Sequence, residues 1–262
     1  MIEFFIGILR TIGCFFLTFM VAFLASASGV LLGGQRAWEY WRGAWSRVHL
    51  FFLGAKVEVS GKENLKGPAV FISNHESVVD LFTIGSICPK KTTYISKKEV
   101  ARFPFVGVIM RMGGCIFIDR SNTRSAIESI RIGLQERREN YSIIVFPEGT
   151  RTAVEEGLKP FKRGCMHVSM EAGIPIVPIG HAGAADYANG KSILMKKGGT
   201  IFVEVGEPID TSNWTQDNAR EQMNFLHQSV QDLIEKAKLK MLAEKKDLKQ
   251  GIKDNDFSAK SL

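Results

Sequence analysis

Residues 69–80 read AVFISNHESVVD. The first five are a short apolar run, the pattern of a strand buried on both faces. The run breaks into a polar corner, Asn74-His75-Glu76-Ser77, and the apolar residues that resume at Val78 predict a helix over 78–87. A strand that turns directly into a helix is half of an α/β unit, and ligand sites in such sheets lie at the carboxyl ends of strands. His75 and Asp80 are thus candidates by position. On one ideal helix, residues five apart lie about 140° around the axis and face away from each other. They meet if His75 sits in the turn and Asp80 in the helix. A carboxylate on one imidazole nitrogen then fixes the tautomer and leaves the other nitrogen as a base. A plainer reading competes, in which Asn74 or Ser77 caps the helix and His75 is incidental.

Outward from this corner, strand and helix keep alternating. Strands are predicted at 56–59, 92–96, 115–119, 142–146, 174–179 and 200–205, and helices at 103–112, 124–138, 165–172 and 218–243. The fold class is therefore α/β, a central mixed sheet flanked by helices, behind an N-terminal membrane-associated helical segment. The organisation is a membrane anchor at 1–54, an α/β domain at 55–244 and a basic polar tail at 245–262 that frays.

Three more polar blocks follow predicted strands or enter helices. Phe146-Pro147-Glu148-Gly149-Thr150-Arg151 offers a glycine for close approach, a hydroxyl and a forked cation, which suits a phosphate. Its bland counterpart is a turn with a solvated ion pair. Lys159-Pro160-Phe161-Lys162-Arg163-Gly164 sets basic side chains beside a helix N-terminus, again suited to an anion, although a charged surface loop looks the same. Residues 114–120, GCIFIDR, deliver Asp119 and Arg120 to a strand end.

Composition narrows the classes. Of 262 residues, 45% are hydrophobic and 23% charged, which excludes a disordered or collagen-like chain. Cys14, Cys88, Cys115 and Cys165 are scattered, so neither a zinc cage nor a disulfide framework is expected. No dinucleotide fingerprint or P-loop occurs. A net charge of +7 favours a polyanionic partner: nucleic acid, an anionic membrane or a phosphorylated small molecule. The apolar N-terminus selects the membrane. Residues 11–35 carry no charge, a length of roughly 37 Å as helix, against the roughly 20 apolar residues a bilayer core needs. A cleaved signal peptide ending at 25–27, a single span, and a hairpin turning at Gly33-Gly34 all fit. The signal peptide fits least, because Glu3 sits in its basic region and the apolar run continues past the cleavage point. Trp38, Trp41 and Trp45 share one helix face among Arg36, Arg42 and Arg47, which predicts contact with lipid headgroups. Packing of that face on the globular core is the alternative.

In this order and spacing, the blocks resemble those of the glycerophospholipid acyltransferase superfamily, most nearly its bacterial 1-acylglycerol-3-phosphate acyltransferases. NHESVVD resembles the family's NHxSxxD block, which contains its HX4D signature. CIFIDR resembles its second block, FPEGTR its third and IPIVPIG (174–180) its fourth. Lys97-Lys98-Glu99, with Pro104 and Gly107, resembles the stretch between the first two, and FKRG resembles its FKxG. The likeness covers residues 57–207. It implies transfer of a fatty acyl group from acyl-CoA or acyl-carrier protein to the sn-2 hydroxyl of 1-acylglycerol-3-phosphate (lysophosphatidic acid), giving phosphatidic acid. It makes His75 the general base and Asp80 its orienting partner. Glu148, Gly149, Thr150, Arg151, Arg120, Lys97 and Lys162 become substrate-binding residues. It calls for no metal and no cofactor beyond the acyl donor, for a lipid bilayer and not nucleic acid as partner, and for the inner membrane with the catalytic domain on the cytoplasmic side. Two rivals stay open: the same chemistry on a lyso-ornithine lipid or a lysophospholipid, and a non-catalytic membrane-tethered binder of anions.

Overall fold

The computed structural model describes residues 1–135 and 140–259. Seven strands build one sheet: β1 (Lys56–Ser60), β2 (Val70–Ser73), β3 (Thr92–Lys97), β4 (Ile116–Ile118), β5 (Ser142–Val145), β6 (Ile176–Ala182) and β7 (Thr200–Val205). Their order is β1-β7-β6-β2-β5-β3-β4. From β6 to β4 all neighbours are parallel, whereas β7 runs antiparallel to β6 and carries β1 parallel to itself. The sheet is mixed, as the sequence predicts. Seven α-helices are described: α1 (Ile2–Leu32), α2 (Gly34–Leu53), α3 (Asp80–Ile87), α4 (Val106–Met112), α5 (Thr123–Gln135), α6 (Gly164–Ala172) and α7 (Ala219–Ala259). The last three positions of the helix predicted at 124–138 lie outside the described residues. The tail expected to fray from 245 instead prolongs α7 to Ala259, and 260–262 lie outside the described residues.

The alternation within β2 explains how the sheet is covered. Val70 and Ile72 face Ile130, Met166, Leu226, Val230 and Ile234 of α5, α6 and α7. Phe71 faces the other way, into a cluster with Trp38, Leu50, Phe82 and Ile84. All three β2 side chains are fully buried. Each contributes about 1.5–3 kcal/mol relative to exposure, so both layers pin the strand and the turn that leaves it.

The N-terminal segment differs from the expectation in one respect. α1 and α2 form a helical hairpin, with Gly33 at φ 82° in the reversal. Of the three arrangements the sequence allows, this is the turn at Gly33-Gly34. The two helices are tied by side chains: Trp41 Nε1 donates to Ser28 Oγ at 2.8 Å, Trp45 Nε1 to Thr18 Oγ1 at 3.2 Å, and His49 Nε2 lies 2.9 Å from Thr18 Oγ1. Trp38 is buried, donates to the Thr92 carbonyl at 2.8 Å and meets the Tyr94 ring edge-on. The tryptophan face therefore packs on α1 and on the core, and the predicted headgroup contact is corrected. Arg42 is buried too, with its guanidinium on the carbonyls of Gly85, Cys88 and Pro89 at the end of α3. Those carbonyls lack helical partners and lie at the negative pole of the helix, which compensates the buried cation, although its Nε has no hydrogen-bond partner. The apolar surface left in contact with solvent includes α1, where Phe4, Phe15, Phe16 and Phe23 are exposed, and Phe51 and Phe52 at the end of α2. Among the described residues, α1 is the one helix long and apolar enough to cross a membrane.

Arg42→Met keeps the length of the side chain but leaves the Gly85 and Cys88 carbonyls without a donor, while the Pro89 carbonyl still accepts from Thr92 Oγ1. A loss of about 2–4 kcal/mol of stability is expected from thermal or denaturant unfolding. An unchanged midpoint would mean that α2 does not anchor the domain through α3.

Candidate active site

The parallel strands deliver their carboxyl ends to one edge of the sheet, and the polar blocks meet there. β2 ends at Ser73, the chain turns, and α3 starts at Asp80. The five-residue spacing is thereby bridged by a turn, and His75 Nδ1 donates to Asp80 Oδ2 at 2.8 Å. The Ser77 amide donates to the same oxygen at 2.9 Å. Asp80 is fully buried at the first turn of α3, where the helix dipole favours its charge. The His75 ring stacks on Phe146, with centroids 4.1 Å apart and planes 18° apart. Stacking from one side and Asp80 at Nδ1 fix the imidazole, and its Nε2 has no hydrogen-bond partner among the described residues.

The loop after β5 is knitted to this turn. Glu148 is buried and gives both carboxylate oxygens to backbone amides, Oε1 to His75 at 2.8 Å and Oε2 to Lys159 at 3.2 Å. The Thr152 amide donates to the His75 carbonyl at 2.8 Å. Glu148, expected in the acceptor site, is thus engaged by backbone amides and ties the His75 turn to the segment entering α6. Gly149 adopts φ 72° with the Lys162 side chain against it, and a Cβ built there would meet the Lys162 Nζ at 3.1 Å. Arg120 Nη1 donates to the Gly149 carbonyl at 2.8 Å. Gly149, Lys162 and Arg120 are therefore one cluster, assembled from three separated blocks.

Arg151 does not pair with Glu148. Its Nη1 donates to the Ser192 carbonyl at 3.0 Å, and the side chain stays partly exposed. Burial lowers the guanidinium from its ordinary value, and the Asp80 charge opposes that shift, which places the cation within electrostatic range of the His75–Asp80 pair. Thr150 Oγ1 makes a single long contact, 3.5 Å to the Arg151 carbonyl. Lys97 stands apart: it is exposed at the end of β3 with Nζ 3.6 Å from Glu99, and makes no contact with the other candidates among the described residues. Among those residues, no group of His, Cys, Asp and Glu could hold a metal ion.

One residue escaped the sequence reading. β6 runs to Ala182, past the predicted end at 179, and brings fully buried His181 against Asn74, Glu76 and Asp80. The signal was present in a histidine two residues beyond the apolar run. Without the pairing of Ile179 to both Ser73 and Val205, nothing marked it as inward-facing.

A parallel sheet edge that carries a buried His–Asp pair beside a glycine-bearing cationic loop defines a class. The sequence profile described as Acyltransferase matches residues 56–182, and the chain belongs to that family. It is 33% identical over 187 residues to the 1-acyl-sn-glycerol-3-phosphate acyltransferase of Haemophilus influenzae, covering 70% of this chain and 75% of that protein. It is 36% identical over 203 residues to the enzyme of the same name from Saccharomyces cerevisiae, covering 76% of this chain and 66% of the yeast protein's length. The fold matches the crystal structure of the 1-acyl-sn-glycerophosphate (LPA) acyltransferase PlsC from Thermotoga maritima, with a TM-score of 0.67 at 22% identity, over 87% of this chain and 98% of that one.

Glu148→Gln separates a strut from a substrate ligand. The amide must turn its NH2 toward a backbone N–H, so stability should fall by about 1–3 kcal/mol, with the melting temperature as the readout. An unchanged melting temperature with a raised substrate KM would return Glu148 to the binding surface.

Proposed function

We propose that this protein transfers a fatty acyl group from a thioester donor, acyl-CoA or acyl-carrier protein, to the sn-2 hydroxyl of 1-acylglycerol-3-phosphate, forming phosphatidic acid. The observation that carries the reading is the His75–Asp80 hydrogen bond with Nε2 left open, set beside Arg151. An alcohol is a poor nucleophile at neutral pH unless a positioned base takes its proton. In the proposed step His75 Nε2 accepts the hydroxyl proton as the oxygen attacks the thioester carbonyl. The new C–O bond forms, the C–S bond breaks, and His75 returns the proton to the departing thiolate. Asp80 holds the ring and stabilises the imidazolium formed in between, as the carboxylate of a catalytic triad does. One proton and one acyl group move, and the step calls on no redox group.

Arg151 supplies the forked donor for the acceptor phosphate, with Lys162 and Arg120 adding positive potential around Gly149. The names of the relatives support a glycerophosphate acceptor over a neutral lysolipid, because each of them carries that substrate. The exposed apolar face of α1 supports a site held at a membrane. Its phenylalanines bury in the acyl region while its other face holds α2, and the inner membrane with the domain on the cytoplasmic side is the arrangement proposed.

Three outcomes test this. With lysophosphatidate and acyl-CoA or acyl-carrier protein, the purified protein forms phosphatidate. His75→Ala lowers turnover by about 10²–10⁴ without loss of fold, and near-native turnover in that variant would sink the mechanism. Arg151→Ala should raise the acceptor KM and lower acceptor kcat/KM by about tenfold to a hundredfold, with Arg151→Lys recovering part and the donor KM hardly moving. Equal damage toward donor and acceptor would assign Arg151 to loop structure through Ser192 instead.

Membrane attachment is tested separately. Burial of apolar surface is insensitive to salt, whereas exposed charge pairs are screened within about 10 Å at 0.1 M. High-salt washing should leave the protein in the membrane fraction, and its release there would replace the α1 anchor with peripheral electrostatics.

A further inference from the structure

The proposed mechanism gives no task to the segment that leaves the carboxyl end of β3. Residues 97–112 read KKEVARFPFVGVIMRM, with four basic side chains and one acidic. A short turn over Lys98–Arg102 leads through Pro104 into α4. Gly107 and Ile109 are turned inward, whereas Phe103, Phe105 and Val108 are 54%, 42% and 44% exposed. Phe105 holds φ 56° and ψ −46°, a backbone that a bulky side chain adopts only at a cost. Its ring meets Phe23 of α1 edge-on, with centroids 5.3 Å apart and planes at 89°, and both rings stay partly exposed.

The loop and α1 form one surface. Ser26 Oγ donates to the Phe105 carbonyl at 3.4 Å. Met112 closes on the hairpin reversal, where a Cβ built on Gly34 would meet its Cβ at 2.6 Å. At its root the loop is tied to the cationic cluster: Lys98 pairs with Asp119, the neighbour of Arg120, which donates to the Gly149 carbonyl. Arg102 and Arg111 are exposed. Arg111 Nη2 donates to the Ala101 carbonyl at 2.6 Å, and Arg102 makes no hydrogen bond or ion pair among the described residues. Isolated apolar residues on a surface need no explanation, but a contiguous apolar patch rimmed by cations does. The uncharged stretch of α1 brings no cation to a bilayer, and Arg42 and the tryptophans of α2 point inward. The basic and aromatic side chains that a headgroup zone favours are found together on the β3–α4 loop instead.

We propose that the β3–α4 loop is a second membrane contact, continuous with α1, which buries Phe103, Phe105 and Val108 in an anionic leaflet and sets Arg102 and Arg111 among its headgroups. The loop springs from the same sheet edge as the His75 turn. Two contacts on that side fix the tilt of the domain, so the site faces the leaflet that holds a lysolipid acceptor. The outward ring of Phe105 is the return on its strained backbone.

The inference rests on the reading of α1 as a membrane helix, and site-directed spin labels separate the two. The four native cysteines are buried, so a nitroxide reagent selects an introduced one. Labels go on the full-length variants Val108→Cys, Phe103→Cys, Phe16→Cys on α1 and Glu63→Cys, which is exposed beyond β1 at the opposite edge of the sheet. They are read with vesicles of phosphatidylcholine and phosphatidylglycerol. Labels at 103, 108 and 16 should collide more with oxygen than with a water-soluble nickel chelate, and the label at 63 should do the reverse. Arg102→Gln with Arg111→Gln should make the label at 108 shallower in these vesicles and indifferent to their charge. A lipid-exposed label at 16 with water-exposed labels at 103 and 108 overturns the proposal and leaves the α1 anchor standing. Water exposure at all four positions strikes the anchor reading and this one with it. Spin–spin broadening at 108 in dilute vesicles would mean that a second copy covers the patch, which also overturns it. Kinetics add an independent arm: Phe103→Ser with Val108→Ser should raise the KM for lysophosphatidate in vesicles severalfold and hardly change that for a short-chain soluble acceptor. Equal damage toward both acceptors overturns the proposal. The labels decide it even where the substrate proves different.

Discussion

A charged carboxylate, Asp80, sits with no solvent exposure at the edge of a sheet, and the surrounding architecture serves to keep it there. Burying an ion is costly unless it is hydrogen-bonded and faced by compensating charge. Asp80 obtains this from the His75 ring, the Ser77 amide and the start of α3, with Arg151 within electrostatic reach. Each of these partners needs β2 to stop at Ser73 and α3 to begin seven residues on. That in turn depends on Val70, Phe71 and Ile72 being locked between two apolar layers. The hydrophobic effect thus sets the backbone, and the backbone makes the buried ion tolerable.

The basic loops depend on the same frame through Glu148. Its two oxygens connect the His75 turn to the Lys159 amide, so the loop after β5 and the segment entering α6 move with the histidine proposed as base. A base must stand within hydrogen-bond reach of the proton it takes, and small displacements cost rate. In this site a buried carboxylate bound to two backbone amides sets the distance between the histidine proposed as base and the cations proposed to bind the phosphate. Glycine at 149 serves the same end, since it adopts the positive φ without strain and its lack of a Cβ leaves room for the Lys162 side chain, which a Cβ would crowd.

The N-terminal hairpin divides its two helices between different tasks. α2 turns its tryptophans and Arg42 inward and holds the C-terminal end of α3. α1 covers α2 with one face and leaves the other apolar and exposed. The same hairpin that would hold the protein at a lipid surface therefore braces the helix that carries Asp80. The proposed attachment and the proposed catalytic geometry share one structural element.

Local pattern was enough to determine the alternation of strand and helix, the placement of NHESVVD, FPEGTR and CIFIDR at strand ends, and that of FKRG at a helix start. These follow from apolar periodicity and chain polarity, which are written in short windows. The His75–Asp80 pairing was legible for the same reason, because a turn between strand and helix is the one local arrangement that lets residues five apart meet. What faces inward on an amphipathic helix was not. Trp38, Trp41, Trp45 and Arg42 have the composition of a headgroup belt, and only the packing of α1 and α3 against them decided that they are core and cap. Glu148 could not be told from a ligand, because its partners are backbone amides that carry no sequence signal. His181 lay more than a hundred residues from Asp80 and came to it through the register of β6 on β2, a long-range pairing that no local window contains.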